Sequence, residues 1–342
     1  MNHSKQAGFS FVEVVVASTI FMGLVLVVST LAISGSNAQD LGRRIARMTE
    51  VAHEVTDDIR LELVSSMRVF GNDADGNDLM AMLDLSTAPA PIAVRRLPTI
   101  DIDGPFRQDA AGDEITGNTM MFAYLAWRDR YECASGREYL TDVYRIVHYY
   151  LSDRDGGPRT GKRGGLDLVH FVSEPLADAD AIDGISDATD RAEVLLHLLN
   201  GTPDSSGSTH DEVQVVWART GDPAAATTLR QIDAADGSLS TTVLGGTGRP
   251  DPWAILPSAS GVEGLLSYRH GAIASNFDLV APGMSRFAVR DDINGFPHGF
   301  EVQVIGPTSS RQILLHLILI DPSMSGPPAW SQMQTVITAH DR

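Results

Sequence analysis

From Phe9 to Ile33 the chain runs 25 residues with a single formal charge, that of Glu13. As a helix rising 1.5 Å per residue, this run would be about 37 Å long, enough to cross a hydrocarbon core of about 30 Å with some tilt. A carboxylate at the centre of a bilayer costs about 2.5–3.5 kcal/mol on insertion scales. Glu13 sits instead in the first turn, where the helix dipole favours an anion by about 0.3–1 kcal/mol. No basic side chain lies within helical reach of it. The exception is an amine created by cutting the chain just before Phe9.

Those positions carry a resemblance. A short polar leader ends in Gly8, Phe9 follows, and Glu13 stands fifth in what remains, at the head of an unbroken apolar segment. This pattern resembles the type IV prepilin signal of pilins and of type II secretion pseudopilins. The resemblance implies that prepilin peptidase cuts between Gly8 and Phe9 and that the new amine of Phe9 is methylated. It also implies that Glu13 pairs with the N-terminal amine of a neighbouring subunit during assembly. A cationic amine from the next subunit would satisfy this acid inside the membrane.

Two other readings of the same stretch stay open. One is a secretory signal with Lys5 as its basic region and cleavage near Ser36-Asn37-Ala38, although an apolar signal core is normally about 7–15 residues. The other is an anchor that is never cut. Lys5 favours a cytoplasmic N-terminus by the positive-inside tendency, but Arg43, Arg44 and Arg47 follow the run, so charge bias alone does not fix orientation.

After Ser36 the pattern turns amphipathic. Leu41, Ile45, Met48, Ala52, Val55, Ile59, Leu63 and Met67 recur at three- and four-residue spacing, with charged residues mainly on the other side. No proline occurs from residue 1 to 88. One helix is therefore expected from about Phe9 to about Phe70, with weak points at Gly35 and Gly42. Its second half should be the spine of a globular part. A separate helix after a loop at Gly35 is the alternative. The domain reading is a leader at 1–8, a long helix at 9–70 with its membrane segment at 9–33, and a β-rich extracytoplasmic domain at 71–342. The fold class is α+β.

Gly71–Asp78 should stop the helix as a turn. Read as an EF-hand loop with Gly76 at the sixth position, it places Gly71 first and Met82 twelfth, where an acid belongs. Residues 79–116 read as loop with one short strand. Aromatic and β-branched runs then predict strands at Thr119–Trp127, Asp142–Leu151 and Leu166–Ser173. Asp187–Asn200 reads as a short helix or strand, with Thr189 or Asp190 as the cap of a helix. Glu212–Ala218 alternates as a strand, and Leu229–Ile232 and Ser238–Leu244 can pair across Asp236-Gly237. A strand is expected at Phe287–Arg290 before a turn at 291–295. Gly299–Ile305 and Gln312–Ile320 form the clearest pair, the second apolar throughout and so central. The tail from Pro322 reads as polar and loosely held.

This order is similar to that of minor pseudopilin J and of minor pilins of the W type. The similarity lies in Asp58-Ile59-Arg60 at the helix end, Gly117–Phe122, Tyr144–Leu151, Met284–Arg290 and an apolar late strand. It implies a minor structural subunit of a type II secretion pseudopilus or a type IV pilus, placed at the filament tip because a head of this size would crowd a filament wall. It further implies a bacterial inner-membrane protein with one span and its head in the periplasm. Its partners would be prepilin peptidase, other minor subunits and the major subunit.

The remaining chemistry is sparse. A formal charge of −18 repels phosphate backbones and argues against a nucleic-acid role. The single cysteine, Cys133, excludes an intramolecular disulfide. None of the ten histidines forms a His-Glu-x-x-His pair, and there is no Gly-x-Ser-x-Gly or phosphate-binding glycine loop. His148, His170, His197 and His316 lie inside apolar runs and read as core or strand-face residues. No catalytic or metal residue is assigned, and calcium in an Asp-rich loop is the one cofactor kept in view. The alternative function is a membrane-anchored extracytoplasmic binding protein or hydrolase.

Overall fold

The computed structural model describes residues 10–106, 115–153, 165–218, 228–243, 255–266, 271–274, 299–321, 329–339 and 341. One helix dominates. α1 (Phe11–Val64) runs 54 residues without a break at Gly35 or Gly42. Residues 10–40 are exposed throughout, whereas Met48, Val51, Ala52, Val55, Thr56, Ile59 and Leu63 are buried. The apolar spacing of the second half thus becomes a single buried stripe.

The helix ends earlier than the sequence suggests. Ser65 turns out of it, its N–H donating to the Glu62 carbonyl at 3.0 Å. The following residues become β1 (Ser66–Phe70), paired antiparallel with β3 (Met120–Glu132) in the register Val69 to Phe122. Met67 to Phe70 carry helical spacing, but the ladder offers their backbone partners that a further helical turn would not. Residues 74–82 are likewise not loop. Asp73 accepts from the Gly76 N–H at 2.8 Å and caps α2 (Ala74–Met82).

The remaining elements are β2 (Ile100–Asp101), β4 (Glu138–Asp153), β5 (Leu166–Ser173), β6 (Leu176–Asp178), α3 (Ala179–Asp183), α4 (Ala188–Asn200) and β7 (Val215–Trp217). After them come β8 (Thr228–Ile232), β9 (Leu239–Val243), β10 (Pro257–Gly264), β11 (Ala272–Ile273), β12 (Phe300–Ile305), β13 (Arg311–Ile320) and β14 (Trp330–Ala339). The fourteen strands among the described residues join one mixed sheet, with the path β2-β12-β13-β11-β5-β4-β6-β7-β8-β9 and with β1, β3, β10 and β14 attached to it. The β2–β12 and β6–β7 pairs are parallel, and the others are antiparallel. The molecule is an α+β fold: one long N-terminal helix packed on a β-rich head.

The spine stripe of α1 packs on one face of this sheet. Val51, Val55, Ile59 and Leu63 share a core with Phe122, Tyr149, Leu315 and Leu317. On the opposite face Phe70, α2, Leu97, Tyr150, Phe171 and Trp217 form a second core. A third core lies in a lobe built from β6, β7 and the helices α3 and α4, with Val194, Leu195, Val213 and Val216. β13 is central as expected, pairing along its whole length with β14 and elsewhere with β12 and β11.

β14 overturns the expectation of a loose tail after Pro322. It pairs residue for residue with β13 from Trp330–Ile320 to Ala339–Arg311. Ile337 and Ala339 join the helix-facing core, and Met333 packs against it. Thr49 and Thr56 of α1 reach across to Ser331 and Met333. The predicted hairpin at Asp236-Gly237 is present as β8–β9; Gly237 has φ 68°, and a Cβ there would lie 2.6 Å from the Ala192 carbonyl. Asp187, rather than Thr189 or Asp190, caps α4 by accepting from the N–H groups of both. The expected strand at Phe287–Arg290 and its turn at 291–295 lie outside the described residues.

Candidate functional site

The site read from the sequence is the start of α1. Gly8 and Phe9 lie outside the described residues. Ser10 is the N-cap, in extended conformation, and its backbone N–H donates to Glu13 Oε2 at 2.9 Å. Glu13 therefore stands at the third helical position and covers one of the N–H groups that a helix start leaves open. This is a charge-assisted bond to one carboxylate oxygen, and a carboxylate has acceptor capacity for more. The side chains after it are apolar or hydroxyl. Ser18, Thr19 and Thr30 turn their hydroxyls onto the carbonyls of Val14, Val15 and Leu26, so they add no unmet donor to the surface. This is the one helix among the described residues long and apolar enough to cross a membrane, and its apolar window is unburied.

The second cluster was not foreseen as a unit. At the far end of α1, Glu62 Oε2 accepts from the Tyr149 hydroxyl at 2.6 Å and meets His170 Nε2 at 3.1 Å. Tyr149 and His170 are register partners on β4 and β5, and their rings stack 4.8 Å apart. Burial, reinforced by the charge of Glu62, pushes the Tyr149 phenol far above its ordinary range, so it stays protonated and donates. This cluster fixes the rotation of the helix on the sheet. The sequence placed Glu62 on the solvent side, and only the strand register reveals its partners.

His148, His197 and His316 are held by partners inside the head. His148 is fully buried and its Nε2 lies 2.7 Å from Thr119 Oγ1. Burial, with the nearby Arg95 charge, lowers its pKa to about 3, so the ring is neutral. His197 bridges Asp129 at 2.9 Å and Thr202 inside the α4 lobe. His316 on β13 meets Glu301 on β12 at 2.8 Å, both nearly excluded from solvent. Cys133 is buried, and its thiol is pushed up to about 11 chiefly by burial, which removes nucleophilic character at neutral pH.

A polar cleft of about 440 Å³ opens where the end of α4 and residues 210–214 meet Arg145 of β4 and Ser258 of β10. Arg145, Glu174, His210, Asp211 and Ser258 line it. Arg145 pairs with Asp211 and donates to the Ser173 carbonyl at 3.2 Å. His210 stacks on Trp127 at 4.8 Å. Burial raises the Glu174 pKa, opposed by Arg145 and assisted by Glu212. The cleft holds charged groups of both signs.

Two carboxylates of the Asp-rich loops serve their own backbone, while Asp75 pairs with Arg68 at 3.0 Å. Asp73 caps α2, and Asp101 accepts from the Gly104 N–H at 2.9 Å. Among the described residues no group of three His, Cys, Asp or Glu side chains is placed to hold a metal ion. No known family, curated protein or solved structure matches the chain.

Proposed function

We propose that this chain is a minor pilin or pseudopilin, a structural subunit of a type IV pilus or a type II secretion pseudopilus with its head at the filament tip. The observation that carries this reading is α1 itself. Its first half is wholly exposed and apolar, with one acid in the opening turn, and its second half is the spine of a head. Glu13 caps its own helix with one oxygen and keeps acceptor capacity for more, and a filament built from parallel helices needs a receptor for each incoming amine. In this reading prepilin peptidase cuts after Gly8, Phe9 is methylated, and Glu13 receives the amine of a neighbour in the inner membrane.

Mass spectrometry of the protein recovered from cells tests it directly. A methylated Phe9 at the N-terminus is expected, and retention of residues 1–8 or a start near Gln39 would sink the proposal. Glu13→Ala should abolish incorporation into filaments while leaving cleavage after Gly8 intact. The cleft beside Arg145 and Glu174 favours a second reading, an anchored extracytoplasmic binding protein. Unchanged filament assembly and secretion after deletion of the gene would turn the balance toward it.

A further inference from the structure

The cleft at the end of α4 holds a cation and an acid that do not use each other. Arg145 of β4 is a sunken cation: 12% of its side chain is exposed, against 70% for Asp211, its ion-pair partner. It also donates to the Ser173 carbonyl at 3.2 Å, which fixes the guanidinium beside the next residue, Glu174. Glu174 is half-buried and lines the same cleft. Among the described residues its carboxylate makes no hydrogen bond or ion pair, with Arg145 or with any other group. Acids drawn out of water ordinarily acquire a partner. The opposite wall is firmly held. Gly201 ends α4 with φ 57°, and a Cβ there would lie 3.1 Å from the His210 carbonyl. The Val213 N–H donates to the Leu198 carbonyl at 2.9 Å, and the His210 ring stacks on Trp127. Residues 210–213 are thus pinned against the helix end, and the opening of about 440 Å³ belongs to the fold and is of small-ligand size.

We propose that this cleft binds a free α-amino acid, with its carboxylate on Arg145 and its ammonium on Glu174. The site rests on the binding reading of the head, adds the ligand to it, and is independent of the filament. The planar fork of Arg145 can meet both oxygens of a carboxylate. To reach it the ligand displaces Asp211, which already stands mostly in water and is held by an exposed and therefore weak pair. The ammonium supplies the partner that Glu174 lacks. Gln214 and Ser258, also on the lining, offer neutral oxygen acceptors for its remaining protons. With both charges of the ligand's head group met, Asp211 and Glu212 are left as uncompensated acids at the mouth. A basic side chain on the ligand suits them and an acidic one does not, so arginine or lysine should bind better than glutamate. Among the described residues these acids do not form a group placed to hold a metal ion, so an organic cation fits them better.

The test is isothermal titration of the full chain in detergent micelles with L-arginine as the probe. Saturable binding of one equivalent is expected. Agmatine, which lacks the carboxylate, and Nα-acetyl-L-arginine, which lacks the ammonium, should each bind about tenfold more weakly or worse. Glu174→Gln should weaken L-arginine by a similar factor and remove its advantage over the acetylated compound. That substitution keeps the shape of a side chain without partners, and an unchanged thermal unfolding curve confirms an intact head. Glu50→Gln, on the exposed side of α1, makes the same change in net charge and should leave binding as it was. Agmatine binding as tightly as arginine would overturn the amino-acid assignment while leaving a cation-binding cleft in place. No saturable binding, or equal losses from Glu174→Gln and Glu50→Gln, would overturn the site itself. The filament reading fails separately, on the mass of the N-terminus.

Discussion

The two halves of α1 share one backbone and differ in what surrounds them. Residues 11–40 are exposed around the whole circumference, while residues 41–64 bury one stripe and show charge on the other. The first half is apolar all round and suits a solvent without water. The second is amphipathic and suits a boundary between water and a protein core. A single helix is therefore written for two solvents, and the change falls between Ile33 and Met48, where small and polar residues replace the apolar run. Stability should follow the same division. Most helical stabilisation comes from packing an apolar face, so the upper half should be held by the head and the lower half by lipid alone.

The largest effect that would break this comparison is a cavity in the spine. Ile59→Ala should destabilise the head by about 2–5 kcal/mol in urea unfolding, because Ile59 is wholly buried among sheet residues. Ile20→Ala, in the exposed half, should leave the same curve unchanged. Equal effects from the two would show that the halves are not distinct.

Acid should sharpen the contrast next. His148 is neutral in the folded head, with a pKa held down to about 3 by burial. Its unfolded pKa is about 6.5, so the unfolded chain binds a proton first as pH falls. Stability is then present above about pH 6.5 and lost below it, by up to about 1.4 kcal/mol per pH unit until the folded pKa is reached. His148→Gln should flatten this slope between pH 6 and 4, and an unaltered slope would remove His148 as its source. Nothing comparable is expected of the lower half of α1.

The smallest effect belongs to the junction. Tyr149→Phe removes the hydroxyl that donates to Glu62 and should cost about 1–2 kcal/mol. Hydrogen exchange should quicken near residues 59–64 and stay constant in the lower half. A uniform change along α1 would mean that the cluster does not act locally.

What could be read from the residues alone divides on similar lines. Period made α1, β12 and β13 legible, since their apolar spacing is long and clean, and a turn dipeptide located β8–β9. Where two signals compete, spacing misleads. Met67 to Phe70 look helical but are drawn into the sheet by β3. β14 was hidden for a different reason. Its helix-facing side mixes Ser331, Met333, Thr335, Ile337 and Ala339, and its outer side carries Gln332, Gln334 and Thr338. A strand buried on one side by a helix can be that polar, because Ser331 meets the Thr49 hydroxyl and the Met333 sulfur accepts from Thr56 of the helix. The start of the candidate site was legible because Glu13 is anomalous in its run. The Glu62 cluster was not, because its members are 87 and 108 residues apart and meet only through strand register.

β14 has a temporal consequence. Its contacts with α1 join positions 277 and 282 residues apart, as in Thr56 with Met333 and Thr49 with Ser331. The helix emerges from the ribosome early, yet the strand that seals it against the sheet is made near the end of synthesis. Until then Val51, Val55 and Ile59 lack part of their cover, and closing so large a loop is slow. The young chain carries an open apolar seam until then, which makes the interval before residue 339 is delivered its period of greatest exposure to misassembly.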